Sequence, residues 1–314
     1  MAGNMGNMGN MGNMGNMGNM GNMGNMGNMV LVGGAAPPAR IGLPIHIEEA
    51  RDLSDDGKRL VVPDSSQPVE LSTRPGNLAP QWTAKEWSSE WRAWQAMDEF
   101  SQTDWRKTIA LDLSGWEAED ARLNAVLDEM FAAAQDERPD AYGEILAQNG
   151  TYAAIASYFG QLLGPVGGAS TAALLEVAGL VGLLAAQHFK ANPRQGVAPR
   201  PRPSQQRPAL APVVPVPGHP SFPSGHATQA TLMALLLLEA MPVDNAKRWR
   251  PLLLTLAWRI ARNRLVAGLH YPADNDAGVE LAVQVTAKLK TLPEGSVFNE
   301  MLLAARRELA GEAK

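Results

Sequence analysis

The sequence predicts an all-α fold, a helical bundle behind a disordered, low-complexity N-terminal tail. Three observations carry that prediction. Apolar residues recur at helical spacing from Trp82 almost to the C-terminus. Capping residues and Gly-Pro breaks divide this stretch into segments of helix length. The alternating apolar and polar pattern of a half-buried strand is almost absent.

The chain has 314 residues, enough for one large core or two small ones. After Met1-Ala2 the triplet Gly-Asn-Met runs nine times, over residues 3–29. Glycine at every third position is collagen-like, but proline is missing, and Asn and Met suit the other two positions poorly. Residues 1–29 therefore read as disordered. A thioether site for Cu(I) is the sharper alternative, and nothing else in the chain suits copper handling. Residues 30–81 are rich in Pro, Gly, Asp and Ser and read as an extended arm, with one short strand expected over 41–47.

The helical domain is expected over 82–314. Thr83-Ala84-Lys85-Glu86 is a capping box that opens its first helix. Trp87, Trp91 and Trp94 follow on one face and are expected to pack into the core. Ser114-Gly115-Trp116-Glu117 is a second capping box, followed by the stripe Leu123, Val126, Leu127, Met130, Phe131 and Ala134. Pro139-Asp140 is expected to restart the chain as a third helix, with Ile145, Tyr152, Ile155, Phe159 and Leu162 inward and Gly164-Pro165 as its end. Residues 169–190 are apolar on nearly every side and close to membrane-spanning length. Their Ala/Gly content, Glu176 and the lack of comparable partner spans predict a central helix of a soluble bundle instead. A proline-dense loop follows over 191–222, and loops of that length in compact domains tend to carry function. Helices are then expected over 227–241, over 247–267 and after Pro272, with Ser296 capping a last one.

Composition excludes several functions. A net charge of −5 and a pI of 5.6 give no basic field for nucleic acid. The absence of cysteine excludes disulfides, thiolate chemistry and Cys-ligated metal. No basic region followed by an apolar run is visible at the N-terminus, so the expected compartment is the cytoplasm, or the periplasm if the true start lies elsewhere.

Three segments place polar residues where a helical bundle wants none. Lys190 ends the apolar helix and is followed by Arg200-Pro201-Arg202-Pro203. Pro223-Ser224-Gly225-His226 precedes another apolar helix: Ser224 can cap it, and Gly225 lets a ligand approach the free N–H groups at its positive end. Alone, that is no more than a cap; with a ligand it is an oxyanion cradle. Arg264 has Ala257, Ile260, Ala261, Ala267 and Gly268 as its helical neighbours, so it points inward, while Arg262 can face solvent. A buried guanidinium needs an anion, either a carboxylate such as Glu176 or a bound oxyanion. His270 and Asp274 are four apart, so the carboxylate can fix one ring nitrogen and leave the other as nucleophile or ligand. His226 supplies a second imidazole, and two imidazoles around an anion can divide phosphoryl transfer into attack and protonation.

The ordered set Lys…Arg-Pro, Pro-Ser-Gly-His and Arg-x5-His-x3-Asp resembles the signature of the type 2 phosphatidic acid phosphatase / vanadium-dependent haloperoxidase superfamily. The resemblance covers about residues 140–290. It implies a helical bundle of the acid phosphatase / vanadium haloperoxidase type. His270 would form a phosphohistidine, oriented by Asp274. His226 would be the general acid and then the base for water. Lys190, Arg202, Arg264, Ser224 and the Gly225 N–H would hold the phosphate oxygens. Two positions depart from the pattern. Asn263 stands where the family has serine, and Lys190 lies twelve residues before Arg202, as if about five residues were inserted between 191 and 199. Arg202 is the expected phosphate ligand and Arg200 the alternative.

The resemblance implies a phosphatase that needs no metal or other cofactor and hydrolyses small phosphomonoesters. Membrane-embedded members of the family need several spans, and the sequence has one borderline span, so a soluble protein without an integral membrane span is expected; its acidic charge predicts no nucleic-acid partner. The alternative is a haloperoxidase using hydrogen peroxide and halide, in which the same residues would hold vanadate with His270 as its axial ligand. A third reading is a non-catalytic helical protein that binds an oxyanion. His219 either lines the entrance or decorates the loop. His46 and His188 have no assigned role.

Overall fold

The computed structural model describes residues 51–61, 89–193 and 197–312. The Gly-Asn-Met repeat, the strand expected over 41–47, the first capping box and Trp87 lie outside the described residues. From the arm, β1 (Asp52–Leu53) pairs antiparallel with β2 (Leu60–Val61), Asp52 opposite Val61 and Leu53 opposite Leu60. This hairpin lies on the helical body: the Arg51 N–H donates to Thr255 Oγ1 at 2.6 Å, and the Arg51 guanidinium sits 3.9 Å over the Trp258 ring.

Everything else in the described residues is helix and connecting loop. Helix α1 (Ser89–Ser101) buries Ala93, Ala96 and Phe100. It turns Trp91 and Trp94 outward, 64% and 49% exposed, which corrects the expected tryptophan core stripe. The small alanine face explains the choice, because it lets α1 lie close against the Ala/Gly-rich helix behind it, where indoles would hold the two apart. Helix α2 (Trp105–Thr108) buries Trp105 against Phe100, with ring centroids 5.1 Å apart. Helix α3 (Ser114–Asp120) starts one residue earlier than its capping box implies. Leu113 is the N-cap, and the Ser114 N–H is satisfied by Asp112 Oδ1 at 2.9 Å.

Helix α4 (Leu123–Ala147) runs unbroken through Pro139, so the expected restart there is also corrected. An interior proline costs a helix about 3 kcal/mol. Here packing outweighs it: Met130, Ala134, Ala141 and Ile145 stay buried on both sides of the proline. Arg138, one residue before it, clamps the helix by donating to the carbonyls of Val266, Ala211 and Leu210. The third helix is α5 (Tyr152–Leu163), capped by Thr151 and ended by Gly164 at φ 58°.

Helix α6 (Ala169–Ala191) is the one described helix long and apolar enough to cross a membrane, and most of it is buried inside the protein. Its first N–H groups, of Gly168, Ser170 and Thr171, donate to the Glu308 carboxylate. After the short α7 (Pro203–Gln206) come α8 (Gly225–Ala240), α9 (Val243–Val266), α10 (Pro272–Leu289) and α11 (Val297–Ala310). Ser296 caps the last, as its sequence predicts. Helix α8 is the central rod, flanked by α6, α9 and α10. Gly278 allows the closest of these approaches, since a Cβ there would fall 2.7 Å from the Ser224 carbonyl oxygen. The architecture is an all-α bundle with its polar residues gathered at one end of α8.

Candidate active site

Three helix ends and one loop meet at the start of α8. Ser224 caps that helix by accepting the Ala227 N–H at 3.3 Å. The first intrahelical bond runs from the Thr228 N–H to the Ser224 carbonyl, so the N–H groups of Gly225 and His226 precede the helical ladder. A Cβ built on Gly225 meets nothing within 4 Å, and both Gly225 and His226 are only half-buried. The positive end of α8 therefore opens onto free space.

Helix α9 delivers the next pieces through its C-terminal turn. Gly268, at φ 78°, receives the chain in the left-handed region. Its N–H donates to the Leu265 carbonyl at 2.8 Å, and the Leu269 N–H to the Arg264 carbonyl at 3.0 Å. This Schellman closure reverses the chain and brings Leu269 and His270 back beside Arg202. His270 Nδ1 faces Asp274 Oδ2 at 3.2 Å. The same carboxylate oxygen accepts the Tyr271 N–H at 3.0 Å and the Ser221 hydroxyl. Burial pushes the Asp274 carboxyl up, but the His270 hydrogen bond and the Arg200 charge outweigh it and hold the group well below the usual carboxylate range. Burial also holds His270 well below its ordinary value. An ionised carboxylate can only accept, so the proton of the neutral ring sits on Nδ1, and the Nε2 lone pair is left to accept from Arg202 Nη1 at 3.1 Å.

The lysine reaches the site in spite of the irregular spacing. Lys190 Nζ donates to the carbonyls of Pro220, Ser221 and Pro223 at 2.9, 2.8 and 2.6 Å. Those bonds fold the loop around it, and a phosphate oxygen would have to replace one of them. Burial, then the charge of Arg202, pushes its amine down to about 7. Arg202, 1% exposed, points Nη1 at His270 Nε2 (3.1 Å) and the Leu269 carbonyl (2.8 Å), and Nη2 at His219 Nδ1 (3.1 Å). Arg264, also 1% exposed, touches Asn149 Oδ1 at 3.4 Å, and its Nη1 has no partner among the described residues. Glu176, offered by the sequence as its counter-ion, makes no ion pair with it among the described residues. Burial lowers both guanidinium groups to about 10. Arg202 and Lys190 act on the titration of both His226 and His270, and Arg264 on that of His226 as well, so the two imidazoles share one cationic field. His226 Nε2 lies 2.9 Å from the Gln148 carbonyl, and burial takes its ring down to about 3.

The structure thus brings together Lys190, Arg202, Ser224, Gly225, His226, Arg264, His270 and Asp274. It moves Arg200, the alternative phosphate ligand, elsewhere: that guanidinium binds Asp274 Oδ1 and Glu119 Oε2, each at 2.9 Å, behind the His270 imidazole. It also adds residues that carry no sequence signal. Glu119 and Ser221 support Asp274. Asn263, in the serine position, donates to Gln148 Oε1 at 3.0 Å and to Glu144 Oε2, and so fixes the segment that holds His226. His219, half-buried in the loop, lies against Arg202.

Comparison with known proteins agrees with this geometry. Residues 173–293 match the PAP2 superfamily. A stretch of 89 residues is 36% identical to the non-specific acid phosphatase of Salmonella typhimurium, covering 28% of this chain and 32% of that protein. A stretch of 88 residues is 38% identical to the decaprenylphosphoryl-5-phosphoribose phosphatase of Mycobacterium tuberculosis, covering 28% and 46%. The chain thus spans between a third and a half of the length of these curated relatives. Lys190, the start of α8, Arg264, His270 and Asp274 all lie within the segment, residues 173–293, that is similar to the PAP2 superfamily.

Proposed function

We propose that this protein is a phosphatase that hydrolyses phosphomonoesters through a phosphohistidine on His270, without a metal ion. The observation that carries the reading is His270 itself: Nδ1 is tied to a buried carboxylate, and Nε2 turns toward the cations, 3.1 Å from the Arg202 guanidinium, which makes no ion pair with a carboxylate among the described residues. A set of cations around a helix N-terminus suits an oxyanion and repels a metal ion.

In the first step the Nε2 lone pair attacks phosphorus and the P–O ester bond breaks. The leaving oxygen takes a proton from His226. In the second step water attacks the phosphohistidine, His226 removes the water proton, the P–N bond breaks and inorganic phosphate departs. Arg202, Arg264, the Ser224 hydroxyl and the Gly225 N–H hold the equatorial oxygens, while Lys190 adds charge and shapes the loop. With the pocket free, the cations and burial keep His226 neutral. A bound phosphate dianion offsets that field and raises the proton affinity of His226 when an acid is needed.

The test is release of inorganic phosphate from p-nitrophenyl phosphate by the purified chain. Turnover, inhibition by vanadate, and an acid-labile, base-stable phosphoprotein trapped in wild type and lost in His270→Ala are the expected results. Halide oxidation by peroxide that requires added vanadate, with no phosphate release, would overturn the reading in favour of haloperoxidase chemistry. Phosphate binding with neither activity would leave an oxyanion-binding protein.

A further inference from the structure

Arg200 is 2% exposed, yet it is excluded from the anion site by its partners. Nη1 donates to Asp274 Oδ1 at 2.9 Å, and Nη2 to Glu119 Oε2 at 2.9 Å and Asp120 Oδ1 at 3.3 Å. The guanidinium lies 3.9 Å over the Tyr271 ring and 5.3 Å from the Trp116 ring, so its plane is fixed as well as its charge. Glu119 is anchored in turn: its other oxygen accepts the Ala273 N–H, in the first turn of α10, at 2.9 Å. The Arg200 carbonyl accepts the Ser221 N–H, and the Ser221 hydroxyl returns to Asp274. Glu119 and Trp116 stand on α3, outside the segment that matches the superfamily.

We propose that Arg200 and Glu119 are positioning residues for the hydrolytic reaction, a buried brace that locks the Asp274 carboxylate onto His270 Nδ1. The proposal rests on the phosphatase reading for its kinetic consequences. Its logic is geometric. Asp274 has two oxygens, and His270 needs one of them in a fixed direction. Arg200 holds the other, and Glu119 keeps Arg200 from swinging toward the cluster of Lys190 and Arg202. Neither residue meets substrate, so both act on the rate of attack and leave phosphate binding alone. In effect α3, outside the matching segment, braces residues that lie inside it.

The test compares Arg200→Gln, Arg200→Lys and Glu119→Gln with wild type. For Arg200→Gln, kcat is expected to fall about 10- to 100-fold, the range seen when the supporting partner of a working histidine is removed, while KM stays within about 3-fold. Arg200→Lys recovers part of kcat, because an ammonium reaches one carboxylate and cannot bridge two. Glu119→Gln, which keeps the shape of the site if Arg200→Gln fails to fold, shows the same loss to a smaller degree.

The acid limb of the pH profile moves to higher pH in Arg200→Gln, because Asp274 loses the cation that keeps it ionised. The charged groups facing Asp274 are Arg200 from the loop, Glu119 and Asp120 from α3, Lys190 from α6, Arg202 at the start of α7 and His270 itself. A second readout needs no turnover. Nitrogen NMR of 15N-histidine protein reports the tautomer of His270, expected as Nδ1–H in wild type and as a mixture in Arg200→Gln.

A rise in KM with kcat unchanged would make Arg200 a phosphate ligand and overturn the proposal. So would an unchanged tautomer together with an unchanged pH profile. If wild type releases no phosphate but the tautomer still responds, the brace stands and the phosphatase reading falls.

Discussion

Three arginines are buried to the same degree in this protein, and they live in opposite surroundings. Arg200, behind His270, meets three carboxylates. Burial alone would lower its proton affinity, but Asp274 and Glu119 raise it above the ordinary value. Arg202, in front of His270, and Arg264, beside His226, meet carbonyls, imidazoles and one amide, and fall to about 10. Behind the imidazole the guanidinium is more than matched by carboxylates; on the other side, among the described residues, Arg202 and Arg264 make no ion pair with a carboxylate. Burying an uncompensated charge is expensive, and a fold that does so at the open end of a helix has a deficit that one tetrahedral dianion cancels.

The largest expected effect removes the group that stands between these two regions. His270→Ala should lower kcat by about 10⁴-fold or more, since loss of the attacking atom leaves only binding and charge stabilisation. It should leave inorganic phosphate binding in place, measured by calorimetry.

The contrast itself breaks in stability measurements. Arg200→Met strands two buried carboxylates and should cost about 3–5 kcal/mol in urea unfolding, the penalty for orphaning a buried ion pair. Arg264→Met removes a charge with no carboxylate partner among the described residues. It should therefore stay within about 1 kcal/mol of wild type, or exceed it, while losing phosphate binding. Equal losses in the two variants would erase the distinction.

Glu176 sharpens the comparison from the acidic side. It is 3% exposed on α6, and burial, offset in part by a hydrogen bond from the Ser89 side chain, raises its carboxyl to about 7 from 4.5. The folded protein then holds a proton that the unfolded chain has released between those two values. Stability is therefore full below about pH 4.5 and falls as pH rises toward 7. Glu176→Gln should flatten that slope and add about 1–3 kcal/mol at neutral pH.

A smaller effect returns to the cradle. At 100 times its Kd, inorganic phosphate should stabilise wild type by about 2.7 kcal/mol. The corresponding rise in Tm should be absent in Arg264→Met.

The front of the site was legible because its signals are local. His270 and Asp274 are one helical turn apart, Arg264 declares its inward direction through its own helical neighbours, and Ser224-Gly225 announces a helix start. The back of the site was hidden because Glu119 sits 81 residues before Arg200 and 154 before Ala273, in an ordinary acidic run on a short helix. Nothing in residues 117–120 tells which carboxylate turns inward. The tryptophan stripe failed for a related reason. Periodicity shows that Trp91 and Trp94 share a face, but the opposing face of Ala93, Ala96 and Phe100 also has helical spacing, and close packing favoured the smaller side chains. Pro139 was misjudged because a local cost was weighed without the tertiary contacts that override it.

Glu308 has one more consequence. Its carboxylate grips the first turn of α6, and the last turn of the same helix carries Lys190. A rod about 35 Å long, at 1.5 Å per residue, thus ties Glu308 on α11 to the loop around Lys190. Shortening the chain ahead of that glutamate would free the far end of the rod and let the ammonium drift from its three carbonyls. A change at Glu308 should therefore register as a loosened loop beside the His270 imidazole.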